Sequence, residues 1–184
     1  ITYHANPKKT KWSAMYTLFY PVNQYLFTKC EKVIFTSEHL MENSYTPGLC
    51  EEKKIVIPIG IPIDLNFTID KVPMKKDPVI LFVGKLRVYK GIEYLIEAMK
   101  DVNYGTCIIV GEGEQEDKLK KMIKTFDLEK KIKLKGEVSD NELIRLYKKA
   151  KVFVLPSINE SEAFGIVQLE AMKYGVPVIN TRLN

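Results

Sequence analysis

Residues 79–110 read VILFVGKLRVYKGIEYLIEAMKDVNYGTCIIV. An apolar run, Val79–Val83, stops at Gly84, and a loop carrying Lys85, Arg87 and Lys90 follows. Ile92, Leu95, Ile96 and Met99 then recur at helical spacing before a second apolar run, Thr106–Val110. Both runs are apolar throughout rather than alternating, as in strands covered by helices on both faces. Two such strands joined through a helix form a βαβ unit, and its strands lie parallel.

The same unit recurs downstream. Ile132–Leu134, Val152–Leu155 and Val176–Ile179 are further strand candidates. Leu119, Met122, Ile123 and Phe126 mark one intervening helix, and Leu143, Leu146, Tyr147 and Ala150 another. Ser139 and Glu142 are spaced as a capping box for the latter. The fold class is therefore α/β, a Rossmann-like doubly wound parallel sheet. Residues 1–60 form a different unit: a helix from about Lys11 to Thr28 interrupted near Pro21, a strand Lys32–Thr36, a helix capped by Ser37, and a strand Lys54–Ile57. The stretch from Pro58 to Pro78, with Pro62 and Pro73 between, reads as a crossover or linker, with the linker proper at residues 61–78 before the unit at 79–184. The chain opens at Ile1 directly on structured sequence, so it reads as a piece of a longer protein, with both domains partial.

With 46% hydrophobic and 28% charged residues, the chain is neither a disordered tail nor a collagen-like or coiled-coil repeat. Its net charge of +5 is spread along the sequence. A nucleic-acid binder concentrates its excess in a patch, so no nucleic-acid partner is expected and small anionic ligands suit the charge better. No apolar run approaches the ~18 residues of a membrane span. Cys30, Cys50 and Cys107, odd in number and far apart, read as buried thiols of a reducing, cytoplasmic compartment, with no disulfide framework and no metal site.

Among phosphate loops, no G-x-x-x-x-G-K-[ST] is present. Gly111-Glu112-Gly113 begins like a dinucleotide fingerprint, but Glu116 stands at the last glycine and acidic neighbours would repel a pyrophosphate. A tight turn into a helix with an acidic first turn is the better reading. The loop Gly84–Gly91 places three cations at a strand's carboxyl end beside a helix start, which suits a phosphate; a solvated basic turn is the alternative. In Pro156–Met172, Glu162 falls in a loop and Glu170 one to two turns inside the next helix, so the two can face one elongated polar ligand. Read singly, Glu162 is a helix-start acid, Glu170 a surface residue, and Glu160 a competing, solvated acid. Gly165 permits close backbone approach at that helix start.

Pro156–Ile179, with Glu162, Phe164, Gly165, Glu170, Ala171, Met172, Gly175 and Pro177, resembles the E-x7-E signature of retaining glycosyltransferases of family 4. Gly84, Leu86, Lys90 and Gly91 match that family's G-R-L…K-G motif, with Lys85 in place of arginine, which loses a bidentate fork. Ile57–Ile61 resembles its I-P-N-G segment, with Ile59 replacing Asn. Tyr3-His4, Tyr20-Pro21, Thr36-Ser37 and Asn180-Thr181 are similar to the bacterial mannosyl- and rhamnosyltransferases of surface-polysaccharide (lipopolysaccharide) synthesis. The resemblance implies a GT-B fold, residues 1–60 being part of the acceptor-side domain and 79–184 the truncated nucleotide-sugar domain. It implies a hexosyltransferase that moves a sugar with retention from a nucleotide-diphosphate sugar, such as GDP-mannose, to a glycan or lipid-linked acceptor. No cofactor or metal is implied, and this piece alone should be inactive.

The same resemblance gives Glu162 the donor-sugar hydroxyls near the reacting carbon, and Glu170 the ribose hydroxyls. Lys90, with Lys85 in the Gly84 loop, neutralises the diphosphate leaving group; backbone at Gly165, Ile166 and Val167, beside Phe164, supports sugar and phosphate. His4 matches a histidine projecting toward the donor sugar, against the alternative of an ordinary strand-end histidine. Lys8, Lys9 and Lys11 before Trp12, Tyr16, Phe19 and Tyr20 suit a helix lying on the inner face of an anionic membrane, although core packing of the aromatic stripe explains it better. Two other readings compete: a non-catalytic nucleotide-sugar-binding module, and a Rossmann-type nucleotide-sugar epimerase or dehydrogenase, which needs a glycine fingerprint after its first strand.

Overall fold

The computed structural model describes residues 2–3, 18–44, 46, 48–62, 77–159, 161–162 and 164–182. The chain divides into two compact units, Ile1–Gly60 with Glu160–Phe164, and Ile61–Asn159 with Gly165–Asn184.

In the first unit β1 (Thr2–Tyr3), β2 (Val33–Phe35) and β3 (Lys54–Val56) pair in parallel in that order. Tyr3, Phe27, Val33, Phe35 and Leu49 form its core, with the Tyr3 and Phe35 rings tilted at 5.4 Å. Helix α1 (Tyr20–Lys29) carries Pro21 in its first turn. There the missing N–H has no intrahelical partner to lose, so Pro21 opens this helix. The expected helical stretch Lys11–Thr17 lies outside the described residues. Helix α2 (Glu38–Glu42) is capped as read, the Ser37 hydroxyl accepting the Leu40 N–H at 3.1 Å. Core packing of the aromatic stripe fails at Phe19, which is 52% exposed; Phe27 is the buried aromatic of α1.

The second unit is built on β4 (Val79–Val83), β5 (Thr106–Val110), β6 (Ile132–Gly136), β7 (Ala150–Leu155) and β8 (Val178–Asn180), all parallel, in the order β6-β5-β4-β7-β8. Helices α3 (Ile92–Ala98), α4 (Glu116–Thr125), α5 (Asp140–Lys149) and α6 (Ile166–Lys173) connect them. The chain moves outward from β4 through β5 to β6, then returns past β4 to β7 and β8. Right-handed crossovers therefore put α3 and α4 on one face and α5 and α6 on the other. Leu81, Phe82, Ile109 and Phe153 are completely buried between those layers. Each such side chain contributes about 1.5–3 kcal/mol, which is why these strands are apolar throughout. The order reverses between β4 and β7, and open α/β sheets bind ligands outside the carboxyl ends of strands at such a point.

Three local readings need correction. Val176, read as a strand start, instead closes α6: its N–H reaches the Ala171 carbonyl at 3.1 Å, and that of Gly175 (φ +70°) reaches Met172 at 2.9 Å. This is a Schellman motif, with the buried Ala171 and Val176 at its two ends. The capping box at α5 is half made. Ser139 accepts the Glu142 N–H at 3.3 Å, but the Glu142 carboxylate pairs with Lys135, which holds it below the ordinary carboxylate range. Cys107 is buried, which pushes its thiol up to about 12, whereas Cys30 is half-buried and Cys50 exposed. Among the described residues no helix is long and apolar enough to cross a membrane.

Helix α4 ends like α6, Leu128 N–H on Ile123 O at 3.0 Å and Asp127 N–H on Lys124 O at 3.2 Å, but with Asp127 at φ +53° where glycine is usual. A left-handed residue costs ~1–2 kcal/mol and glycine's extra unfolded entropy ~0.5–1 kcal/mol. Asp127→Gly should therefore stabilise by about 0.5–1 kcal/mol in urea unfolding; a lower midpoint would mean that local bonding of the aspartate offsets its backbone strain.

Candidate functional site

At the carboxyl ends of β4, β5 and β7, the following loops are joined through their backbones. Gly84 N–H donates to Val110 O at 3.0 Å, Leu86 N–H to Glu112 O at 2.9 Å, and Gln115 N–H to Leu86 O at 3.0 Å. Gly111 (φ +125°) sits so close that a Cβ on it would lie 2.0 Å from Gly84 O, and one on Gly113 would lie 2.5 Å from Leu86 O. The Gly111-Glu112-Gly113 turn thus serves the protein's own backbone, in keeping with its reading as a tight turn into α4. Across the switch point, Ile158 N–H donates to Tyr89 O at 2.8 Å. Gly91 (φ +62°) lies under Pro156, whose carbonyl oxygen would be 2.1 Å from an added Cβ.

This arrangement sorts the three cations of the loop. Leu86 is buried while Lys85 and Arg87 on either side are exposed. Lys90 closes a 3-10 turn, Val88–Lys90, and is only 7% exposed. Its Nζ lies 5.4 Å from the centre of the Tyr89 ring and 3.7 Å from where a Gly84 Cβ would stand. An ammonium is expensive to bury, and here it is held at the mouth of β4, partly over an aromatic face.

On the other side of the switch point, Gly165 (φ +66°) caps α6; a Cβ would meet Leu155 Cδ2 at 2.8 Å and Gln168 Nε2 at 3.0 Å. Both neighbours are the ends of flexible side chains, so it is the left-handed backbone that favours glycine there. Ile166 is exposed and Val167 half-buried. Two ties were missed by site reasoning from sequence: Asn180 Nδ2 donates to Gln168 Oε1 at 2.9 Å, and the Thr181 hydroxyl donates to the Ser157 carbonyl. The resemblance at Asn180-Thr181 was the signal that pointed to them.

Glu170, in the second turn of α6, is half-buried and accepts the Tyr147 hydroxyl on Oε2 at 2.8 Å. It borders a cavity of about 260 Å³ between α5 and α6, lined also by Asp140, Leu143, Tyr147, Lys173 and Tyr174. Glu162 and Phe164 are half-buried and group with the first compact unit. His4 and Glu160 lie outside the described residues. The second unit thus brings together Gly84, Lys90, Gly91 and the β7 loop; Lys85 stands outside that packing, at the surface.

A family model described as "Glycosyl transferases group 1" matches residues 66–184. The chain belongs to this family. An uncharacterised glycosyltransferase of Methanocaldococcus jannaschii is 42% identical over 106 residues, 56% of this chain and 27% of that protein. The O-antigen chain mannosyltransferase C of Escherichia coli is 27% identical over 188 residues, all of this chain and 50% of that one. Among solved structures, Anabaena Alr3699/HepE in complex with UDP and glucose superposes with a TM-score of 0.77 at 24% identity, over 100% of this chain and 52% of its own. The fold is accordingly that of the GT-B glycosyltransferases. This group 1 chain spans about half the length, or less, of the curated relatives it matches.

The loop contacts make a sharp forecast. Gly91→Ala must displace the Pro156 backbone and should cost at least about 2 kcal/mol in urea unfolding. Gly60→Ala, with nothing within 4 Å of the added methyl, should stay within roughly 0.5 kcal/mol of wild type. Equal midpoints for the two would show that the switch-point loops yield easily.

Proposed function

We propose that the full-length protein is a hexosyltransferase that moves a sugar, with retention, from a nucleotide-diphosphate sugar to a glycan or lipid-linked acceptor without a metal ion. The observation that carries this reading is the Lys90 ammonium, buried against Gly84 at the carboxyl edge where the strand order reverses. A diphosphate placed there would meet a cation in low dielectric, where its attraction far exceeds that in water. Kinship with an O-antigen chain mannosyltransferase supports a hexose donor, and GDP-mannose is the donor we favour.

In this reading Lys90 neutralises charge that develops on the departing diphosphate, the preorganised electrostatic task that lowers such barriers. Lys85, at the surface, contributes a screened long-range attraction. Backbone at Gly165–Val167 supports sugar and phosphate. Glu170 accepts hydrogen bonds from ribose hydroxyls, and the cavity it borders offers room beside its carboxylate. Glu162 faces the donor sugar, whose ring gains positive character as the diphosphate leaves, so its anion matters most in the transition state. His4 is assigned to the same donor sugar only through its match to the family's histidine. The epimerase or dehydrogenase alternative needs a glycine fingerprint after its first strand, and the loop Gly84–Gly91 that follows β4 does not carry one.

The two carboxylates should separate kinetically in the full-length enzyme. Ribose does not react, so Glu170→Ala should raise the donor KM with little change in kcat. A hydrogen bond to a charged group is worth about 1.5–3 kcal/mol, so that rise should be roughly ten- to hundredfold. Glu162→Gln should lower kcat more than it raises KM, with the same pattern in EDTA. Full kcat in a folded Glu162→Gln enzyme, or metal-reversible loss of all activity in EDTA, would overturn the assignment.

A further inference from the structure

Tyr147 sits in the apolar stripe of α5 and is 2% exposed, so by pattern alone it is a core residue. Its ring is gripped from two sides. It stacks on Tyr174, just past α6, at 5.5 Å and 11°, and tilts against Phe153 of β7 at 6.1 Å and 42°. A ring so held has one direction for its hydroxyl. That hydroxyl approaches the Val167 carbonyl only to 3.4 Å, and donates instead to Glu170 Oε2 at 2.8 Å. Burial, and then the Glu170 carboxylate, hold the phenol far above its ordinary range, so it stays a donor at any working pH. The other oxygen of Glu170, Oε1, accepts no hydrogen bond from the described residues.

We propose that Tyr147 is a positioning residue: by holding one oxygen of Glu170, it fixes the carboxylate at the wall of the α5–α6 cavity and leaves the second oxygen to accept a ligand hydroxyl. The inference rests on the ribose reading of Glu170 given above. A glutamate on a helix surface normally spreads over several rotamers, and a ligand that needs one of them must bear that loss of freedom on binding. Here the restriction is imposed by the fold before the ligand arrives, so more of the new hydrogen bond appears as affinity. A charge-assisted bond from an already ordered phenol is suited to this, being short and directional. Tyr147 therefore acts on hydroxyl recognition through Glu170, with its hydroxyl spent on that carboxylate.

The test is calorimetric binding by the full-length protein of GDP and of UDP, each against its 2′,3′-dideoxy form, with the affinity ratio as readout. Wild type should favour the ribose form by about ten- to hundredfold, as expected for one hydroxyl bonded to a carboxylate. Glu170→Ala should bring the ratio close to one. Tyr147→Phe should lower it by about three- to tenfold while changing affinity for the dideoxy form little. A merely structural tyrosine would weaken both forms equally, or lower the unfolding temperature alone; an unchanged ratio in Tyr147→Phe beside a lost ratio in Glu170→Ala overturns the inference and leaves the ribose reading standing. An unchanged ratio in Glu170→Ala overturns the ribose reading and this inference with it. Should Tyr147→Phe not fold, 4-fluorophenylalanine at 147 fills the hydroxyl's place without donating and should lower the ratio by about the same three- to tenfold. 4-Aminophenylalanine, which donates an N–H, should restore it, and failure to restore it counts against the positioning role.

Discussion

The carboxyl edge of the second unit depends on backbone passing against backbone where no side chain fits. An added Cβ on Gly91 would lie 2.1 Å from the Pro156 carbonyl oxygen, and one on Gly111 would lie 2.0 Å from that of Gly84. These approaches let the loop after β4 donate and accept main-chain hydrogen bonds toward the β5 loop on one side and the β7 loop on the other. A βαβ sheet places its connecting loops at this edge in any case. What the glycines add is rigidity: the loops lock one another, and the 3-10 turn that carries Lys90 becomes part of a fixed rim.

Rigidity at that rim matters because electrostatic work is done best by charges that need not move. A solvated lysine must be desolvated and ordered when an anion binds, whereas Lys90 is already buried against Gly84 and the Tyr89 ring. The same logic recurs between α5 and α6, where the Tyr147 phenol and the two rings around it hold the Glu170 carboxylate. One site fixes a positive charge and the other a negative one, each by packing that a hydropathy pattern records only as core.

The sheet was readable in the sequence because both of its physical signatures are strong there: runs such as Val79–Val83 that are apolar on both faces, and helical stripes such as Leu119–Met122–Ile123–Phe126. Boundaries were less readable where a helix terminus competes with a strand start, as at Val176, whose N–H is claimed by Ala171. For the site, motif spacing drew attention to Lys90, Gly165 and Glu170. Spacing could not sort Lys85 from Lys90, since exposure follows from Leu86 turning inward between Lys85 and Arg87. Nor could it recognise Tyr147, whose apolar ring satisfies the helix stripe while its hydroxyl serves a carboxylate twenty-three residues away. Cys50 and Phe19 were misread as buried because residue type alone does not say which face of a short element is covered.

In the proposed function the buried ammonium of Lys90, rather than the surface charge of its loop, receives the diphosphate. Calorimetric titration of GDP into the full-length protein at physiological salt tests it most directly, comparing Lys90→Met with Lys85→Met. The account predicts a loss of about ten- to hundredfold in affinity for Lys90→Met, the worth of one buried charge-assisted bond. For Lys85→Met the loss should be no more than about threefold, as befits an exposed and screened cation. Wild-type affinity in a folded Lys90→Met protein, or a larger loss at Lys85, would contradict it.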